Sequence, residues 1–162
     1  MPTVLVSAAA VSDLAEVADL LREYAASLTV SLDFQDFDRE VAELPGGYAP
    51  PSGALFVARL DGAAVGCIAL RRIDDVTCEL KRLYVRPRTR GAGVGRRLVD
   101  AALAEARRLG YARIRLDTLP GMETAQRLYA ELGFREIDPY TRNPVPGTRY
   151  LELEFEGRWR AR

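Results

Sequence analysis

Histidine does not occur once in the 162 residues. Its absence removes the commonest general base at neutral pH, the usual partner of a nucleophilic serine or cysteine, and the commonest zinc ligand. Ser/His/Asp and Cys/His mechanisms are thereby excluded, so any base must be a carboxylate, a tyrosine, a lysine or a water. Cysteine is nearly as scarce: Cys67 and Cys78 are too few for a disulfide framework and form no C-x-x-C pair. Both fall in strand-like segments and read as small core residues. No metal site is expected. No apolar run approaches the ~18 residues that a membrane span needs. Met1 to Val11 carries neither the charged nor the apolar region of a signal peptide. The expectation is a soluble, cytoplasmic chain without membrane contact. An excess of one charge is also missing, with 23 basic and 23 acidic residues. That balance speaks against a broad nucleic-acid footprint, and the local arginine clusters suit a confined anion site better than a polyanion groove.

What is present is a large apolar fraction, 48%, enough for the core of one domain spanning residues 1–162. Thr3 to Ser7 reads as a strand. Asp13 and Glu16 stand at capping-box spacing before a helix carrying Leu14, Val17, Leu20, Leu21, Tyr24 and Leu28 on one face. A shorter helix is predicted over Phe37 to Leu44. The Pro- and Gly-rich stretch from Pro45 to Gly53, with Tyr48, is a candidate lid or pocket wall. Ala54 to Leu60 and Ala63 to Arg72 form a hairpin through Asp61-Gly62, and Thr77 to Val85 is a further strand. Helices follow over Val94 to Leu109 and Met122 to Leu132, closed by Gly110 and Gly133. Strands are predicted at Ile114 to Thr118, Glu136 to Ile137 and Arg149 to Phe155. A second long loop, Asp138 to Gly147, contains Tyr140 and Asn143. Hairpin-linked strands followed by alternating strands and helices predict an α/β domain with one mixed, mostly antiparallel sheet of about seven strands and helices on both faces.

The most informative segment is Arg90-Gly91-Ala92-Gly93-Val94-Gly95, between a strand and a helix N-terminus. Helix N-termini offer unpaired N–H groups and the positive end of the dipole, and glycines let a ligand approach the backbone. The dinucleotide fingerprint G-x-G-x-x-G fails, because Arg96 or Leu98 falls where the last glycine belongs. The Walker loop fails for want of a Lys-Ser or Lys-Thr pair. What remains is R-x-x-G-x-G. Taken alone it leaves two readings open, an anion cradle or a glycine-rich turn tightening a strand–helix joint.

Three linked segments settle the matter by resemblance: Glu79-Leu80-Lys81-Arg82-Leu83-Tyr84-Val85, the loop Arg90 to Gly95, and Leu128-Tyr129-Ala130-Glu131-Leu132-Gly133-Phe134. Together they resemble the GNAT superfamily of acyl-CoA-dependent N-acyltransferases. Lys81 to Pro87, Leu116-Asp117-Thr118 and the run from Pro139 to Pro144 resemble a bacterial subgroup whose members mostly lack defined substrates. The resemblance implies acetyl-CoA (coenzyme A) as cosubstrate. The loop around Arg90, Gly91, Gly93, Gly95 and Arg96 would hold its pyrophosphate, and the Leu83 and Val85 backbone would bond the pantetheine arm. It implies Tyr129 as the acid that protonates the departing thiolate. Glu79, on the polar face of its strand, is the candidate base acting through a water; a plain ion pair on an exposed sheet face is the other reading of that residue. Met122 stands where many family members carry an asparagine that bonds the pantetheine. The acceptor, expected to be a small-molecule amine, would meet Asp33, Phe34, Tyr140 and Asn143. Two alternatives stay open: a protein or peptide amine as acceptor, and a non-catalytic acyl-CoA-binding module. The oligomeric state is also open, a homodimer included.

Overall fold

The computed structural model describes residues 3–28 and 36–155. Its elements run β1 (Val4–Ala8), α1 (Leu14–Ser27), α2 (Phe37–Ala42), β2 (Ala54–Leu60), β3 (Ala63–Arg72), β4 (Thr77–Val85), α3 (Val94–Arg108), β5 (Arg113–Thr118), α4 (Glu123–Glu131), β6 (Arg135–Ile137) and β7 (Arg149–Glu154). The seven strands form one sheet in the order β1-β2-β3-β4-β5-β7-β6. Every pairing is antiparallel except β4 with β5. The predicted mixed sheet with helices on both faces is therefore the observed one.

Periodicity explains the layers. On α3, Val94, Leu98, Val99, Ala102, Leu103 and Ala106 are buried at helical spacing and pack with Tyr129 and Phe134 beneath one face of the sheet. On the other face, Val17, Leu20 and Leu21 of α1 meet Phe37 and Val41 of α2, together with Val57, Cys67 and Tyr84. Asp61 and Gly62 both adopt positive φ, 51° and 87°, as a tight hairpin turn between twisted strands requires. Two expectations are corrected. The Asp13/Glu16 capping box does not form. Asp13 instead closes a single 3-10 turn by accepting the Ala10 N–H at 2.8 Å, and both carboxylates accept from Arg59 of β2 at 2.7 Å. A guanidinium offers stronger, charge-assisted bonds than the backbone amide a cap would satisfy. Tyr48 is not a pocket wall: it is 3% exposed and belongs to the core under α1 and α2.

The architecture turns on β4. Cys67 pairs with Tyr84 but Ala69 pairs with Lys81, so Arg82 and Leu83 together stand opposite Ile68. Arg82 takes φ 64°, a left-handed conformation that costs a non-glycine residue roughly 1–2 kcal/mol. This extra residue reverses the parity of the strand. Before it, Cys78 and Leu80 face the α3 layer; after it, Leu83 and Val85 do. Arg82 and Tyr84 consequently face α1 and α2, where the Arg82 guanidinium stacks 5.2 Å from the Phe37 ring centroid and binds Glu40 at 2.8 and 2.9 Å.

The same irregularity opens the sheet. β4 and β5 pair only through Thr77↔Arg113, Cys78↔Ile114 and Glu79↔Arg115. Beyond that point β4 follows β3 through the bulge, whereas β5 stays paired with β7 to its end at Thr118. The two strands diverge, and the gap between them is where the site lies.

Candidate active site

At one end of the gap, Gly91 and Gly93 sit at φ 91° and 78°. Gly93 is the N-cap of α3, and no side chain caps the helix there. The first N–H groups of α3 therefore have no intrahelical carbonyl to meet and no capping oxygen. No acidic residue occupies the first turn. A Cβ added at Gly91 or Gly93 would touch nothing within 4 Å, and one at Gly95 would meet only Val85 Cγ2 at 3.8 Å. Internal packing does not demand glycine at Gly95; the space above the loop is open to a ligand. Arg90 pins the loop to the strand by donating from Nε to the Val85 carbonyl at 3.0 Å. Arg96 is half exposed and lies 3.5 Å from Asp100 and 4.0 Å from Glu131. These residues fit the pyrophosphate of coenzyme A.

Between the diverging strands lies a cleft of about 60 Å³ lined by Leu83, Met122, Tyr129, Asp117 and Asn143 among others. Tyr129 is 6% exposed, its ring 5.4 Å from that of Phe134. Its hydroxyl makes no hydrogen bond among the described residues. Burial pushes the phenol above its ordinary value, so it keeps its proton at neutral pH. Met122 precedes α4 and lines this cleft, with its thioether 3.8 Å from Thr118 Oγ1. Val85 is not part of the lining.

A second, larger cavity of about 330 Å³ adjoins the first and shares Lys81, Arg82 and Asp117 with it. Its wall consists of Asp36, Glu40, Arg71, Glu79, Lys81, Arg82, Asp117, Thr141 and Arg142. Glu79 is 2% exposed and accepts from Arg71 Nε at 2.8 Å and from the Tyr140 hydroxyl at 2.7 Å. It lies on no exposed sheet face. Burial, reinforced by the Glu79 charge, raises the Tyr140 phenol. Burial also holds the Lys81 ammonium below its usual range, against the opposing pull of Glu79. Burial pushes Glu40 up too, but the Arg82 guanidinium outweighs it and the carboxyl ends below its ordinary 4.5.

The structure brings Leu83, Tyr129 and Asn143 together on the cleft and sets Glu79 on the larger cavity; Tyr140 lines neither and is bonded to Glu79. Asp33 and Phe34 lie outside the described residues. Sequence reasoning missed Asp117, Arg71 and Arg142. Asp117 sits at the C-terminal end of the parallel strand β5, where open α/β sheets place their ligands, and accepts from Asn143 Nδ2 at 3.1 Å. Among the described residues, no group of three or more acidic or cysteine side chains could hold a metal, and no helix is long and apolar enough to cross a membrane.

A splayed mixed sheet with an uncapped, glycine-rich helix N-terminus beside the opening fits an acyl-CoA-dependent transferase. Residues 15–134 match the model of the acetyltransferase (GNAT) family, and this chain belongs to that family. An uncharacterized N-acetyltransferase of Schizosaccharomyces pombe is 40% identical over 88% of this chain and 89% of its own length. A protein of Danio rerio named N-acetylaspartate synthetase is 34% identical over 71% of this chain, covering 42% of that protein. A GNAT family acetyltransferase of Elizabethkingia anophelis, solved with acetyl-CoA bound, superimposes with a TM-score of 0.69 over 94% of this chain and 98% of the other, at 19% identity. The protein is an N-acetyltransferase.

Proposed function

We propose that the protein transfers an acetyl group from acetyl-CoA to the primary amine of a small molecule, directly and within a ternary complex. One observation carries this reading: the cleft that contains Tyr129 and the larger charged cavity share Lys81, Arg82 and Asp117 in their walls. Donor and acceptor can be held together without a covalent relay. The larger cavity, about 330 Å³, falls at the lower end of the roughly 300–1,000 Å³ typical of small-molecule sites. The relative named N-acetylaspartate synthetase also favours a small acceptor.

When bound, acetyl-CoA supplies an activated thioester. The chain's own groups do the rest. The α3 amides after Gly93, with Arg90 and Arg96 beside them, receive the pyrophosphate. The Leu83 backbone, which lines the Tyr129 cleft, holds the pantetheine arm, and the Leu83 amide donates to the thioester oxygen as it gains charge. Tyr129, kept protonated by burial, gives its proton to the departing sulfur. Glu79 or Asp117 relieves the amine of its proton through a water. Both thiols are buried and pushed up to about 12, which leaves no cysteine suited to a covalent intermediate.

Mass spectrometry of products from acetyl-CoA and a broad amine panel tests the reading. Acetylated small amines are expected; binding of acetyl-CoA without transfer to any amine would mean a non-catalytic module. Tyr129→Phe should lower kcat by roughly 10²- to 10⁴-fold, the range for losing a general acid. Unchanged turnover with a genuine acceptor removes Tyr129 from that role. Glu79→Gln should lower turnover chiefly at low pH, where the amine is most protonated, and a pH-independent ratio to wild type removes Glu79.

A further inference from the structure

The charges around the larger cavity say what kind of amine it takes, granted the transferase reading above. Eight of its nine lining residues are charged, four acidic and four basic, and only Thr141 is not. An apolar amine would strip water from these groups and return nothing. Several of the charges already satisfy one another. Arg82 is bound by Glu40 through two of its nitrogens. Glu79 takes Arg71 through Nε, with Tyr140 on its second oxygen.

Among the described residues, what is left uncommitted inside the cavity is two guanidinium groups and the Asp36 carboxylate, with a further carboxylate at the wall shared with the cleft. The terminal nitrogens of Arg71 carry no bond among the described residues, and its side chain is 48% exposed. Arg142 makes no ion pair or hydrogen bond among the described residues and borders the same cavity. Asp117 gives one oxygen to Asn143 and stands where the cavity joins the Tyr129 cleft. Two guanidinium forks with open donors therefore belong to the acceptor cavity alone, and a carboxylate marks its junction with the acyl side.

We infer that the acceptor is a zwitterionic amino acid, whose ammonium group is received by Asp117 at the junction and whose carboxylate is received by Arg71 and Arg142. Planar guanidinium forks match a carboxylate two bonds at a time, which makes the site selective for that group over a neutral one. Placing the amine at Asp117 sets it beside the thioester end of the cleft. The ammonium passes one proton through a water to Glu79 or Asp117, the nitrogen forms the new bond to the acetyl carbon and sheds its second proton by the same route, the carbon–sulfur bond breaks, and the thiolate leaves with the proton from Tyr129.

The test sets amino acids against their own carboxamides as acceptors, with acetyl-CoA binding measured in parallel by calorimetry. A carboxamide keeps size and amine but loses the charge. Amino acids should exceed their carboxamides in kcat/KM by about tenfold or more, the least that one charge-assisted hydrogen bond contributes. The difference should lie mostly in KM. Arg142→Gln, which breaks no ion pair among the described residues, should shrink that ratio by about tenfold. Carboxamides accepted as well as the parent acids, or an Arg142→Gln ratio equal to wild type, overturn the inference and leave the transferase reading standing. Acetyl-CoA binding without acetylation of either set, or of any member of the broad amine panel, overturns the transferase reading itself.

Discussion

Removing Glu40 offers the sharpest test of how the site is built. The Arg82 side chain is 3% exposed and that of Glu40 19%, joined by two hydrogen bonds of 2.8 and 2.9 Å. Breaking a buried pair by deleting one partner costs about 3–5 kcal/mol, because the other charge is left without compensation. Two features of the structure pull toward the lower end. Glu40 is partly reached by water, which would enter behind an alanine, and Arg82 keeps the Phe37 ring. Glu40→Ala should therefore destabilise by about 3 kcal/mol, a substantial part of the ~5–15 kcal/mol typical of a domain. At roughly 2–4 °C per kcal/mol for a chain of this size, Tm falls by about 6–12 °C. Urea unfolding followed by circular dichroism reads the same loss as a shift in midpoint.

The sign with pH is fixed as well. The Glu40 carboxyl lies below its ordinary 4.5 in the folded protein. Its contribution is present above that value and is lost as pH falls through the lower, folded value, so the gap between wild type and Glu40→Ala should narrow in acid. Adding Arg82→Met to Glu40→Ala should restore much of the stability, since no buried charge is then orphaned. A loss below about 1 kcal/mol for Glu40→Ala, the range of an exposed pair, would refute the reading of this contact as a buried pair that stabilises the fold.

Gly95→Ala should separate folding from binding. The added methyl meets only Val85 Cγ2 at 3.8 Å and sits in a helix, so stability should hold or rise by up to about 1 kcal/mol. Coenzyme A binding by calorimetry should nevertheless weaken about tenfold or more, because the methyl occupies the space a pyrophosphate needs; unaltered affinity would place the pyrophosphate elsewhere. Iodoacetamide should leave both thiols of the native protein unmodified at neutral pH, by mass spectrometry, since each is pushed up to about 12 by burial. Rapid labelling of Cys67 or Cys78 before unfolding would contradict their burial.

Much of the site was legible because its signals are local. The Asp61-Gly62 turn needs positive φ at adjacent positions, and the residue types say so. Gly93 caps α3 in the left-handed region, a conformation that the glycine itself announces. The buried stripe of α3 follows from spacing alone. The capping box at Asp13 and Glu16 failed because its competitor, Arg59, comes from a strand far along the chain.

By itself, then, the sequence determined the elements, the face each buries, the family motifs and the absence of histidine chemistry, all short-range properties of neighbouring residues. Tertiary structure alone decided the bulge at Arg82, since an arginine carries no preference for φ 64° and takes it only where Glu40 and Phe37 receive its side chain. It alone decided that β4 and β5 part after Glu79, because divergence is a matter of which neighbour each strand follows. And it alone set Tyr140 on Glu79 and Asn143 on Asp117, contacts across 61 and 26 residues that no local pattern encodes.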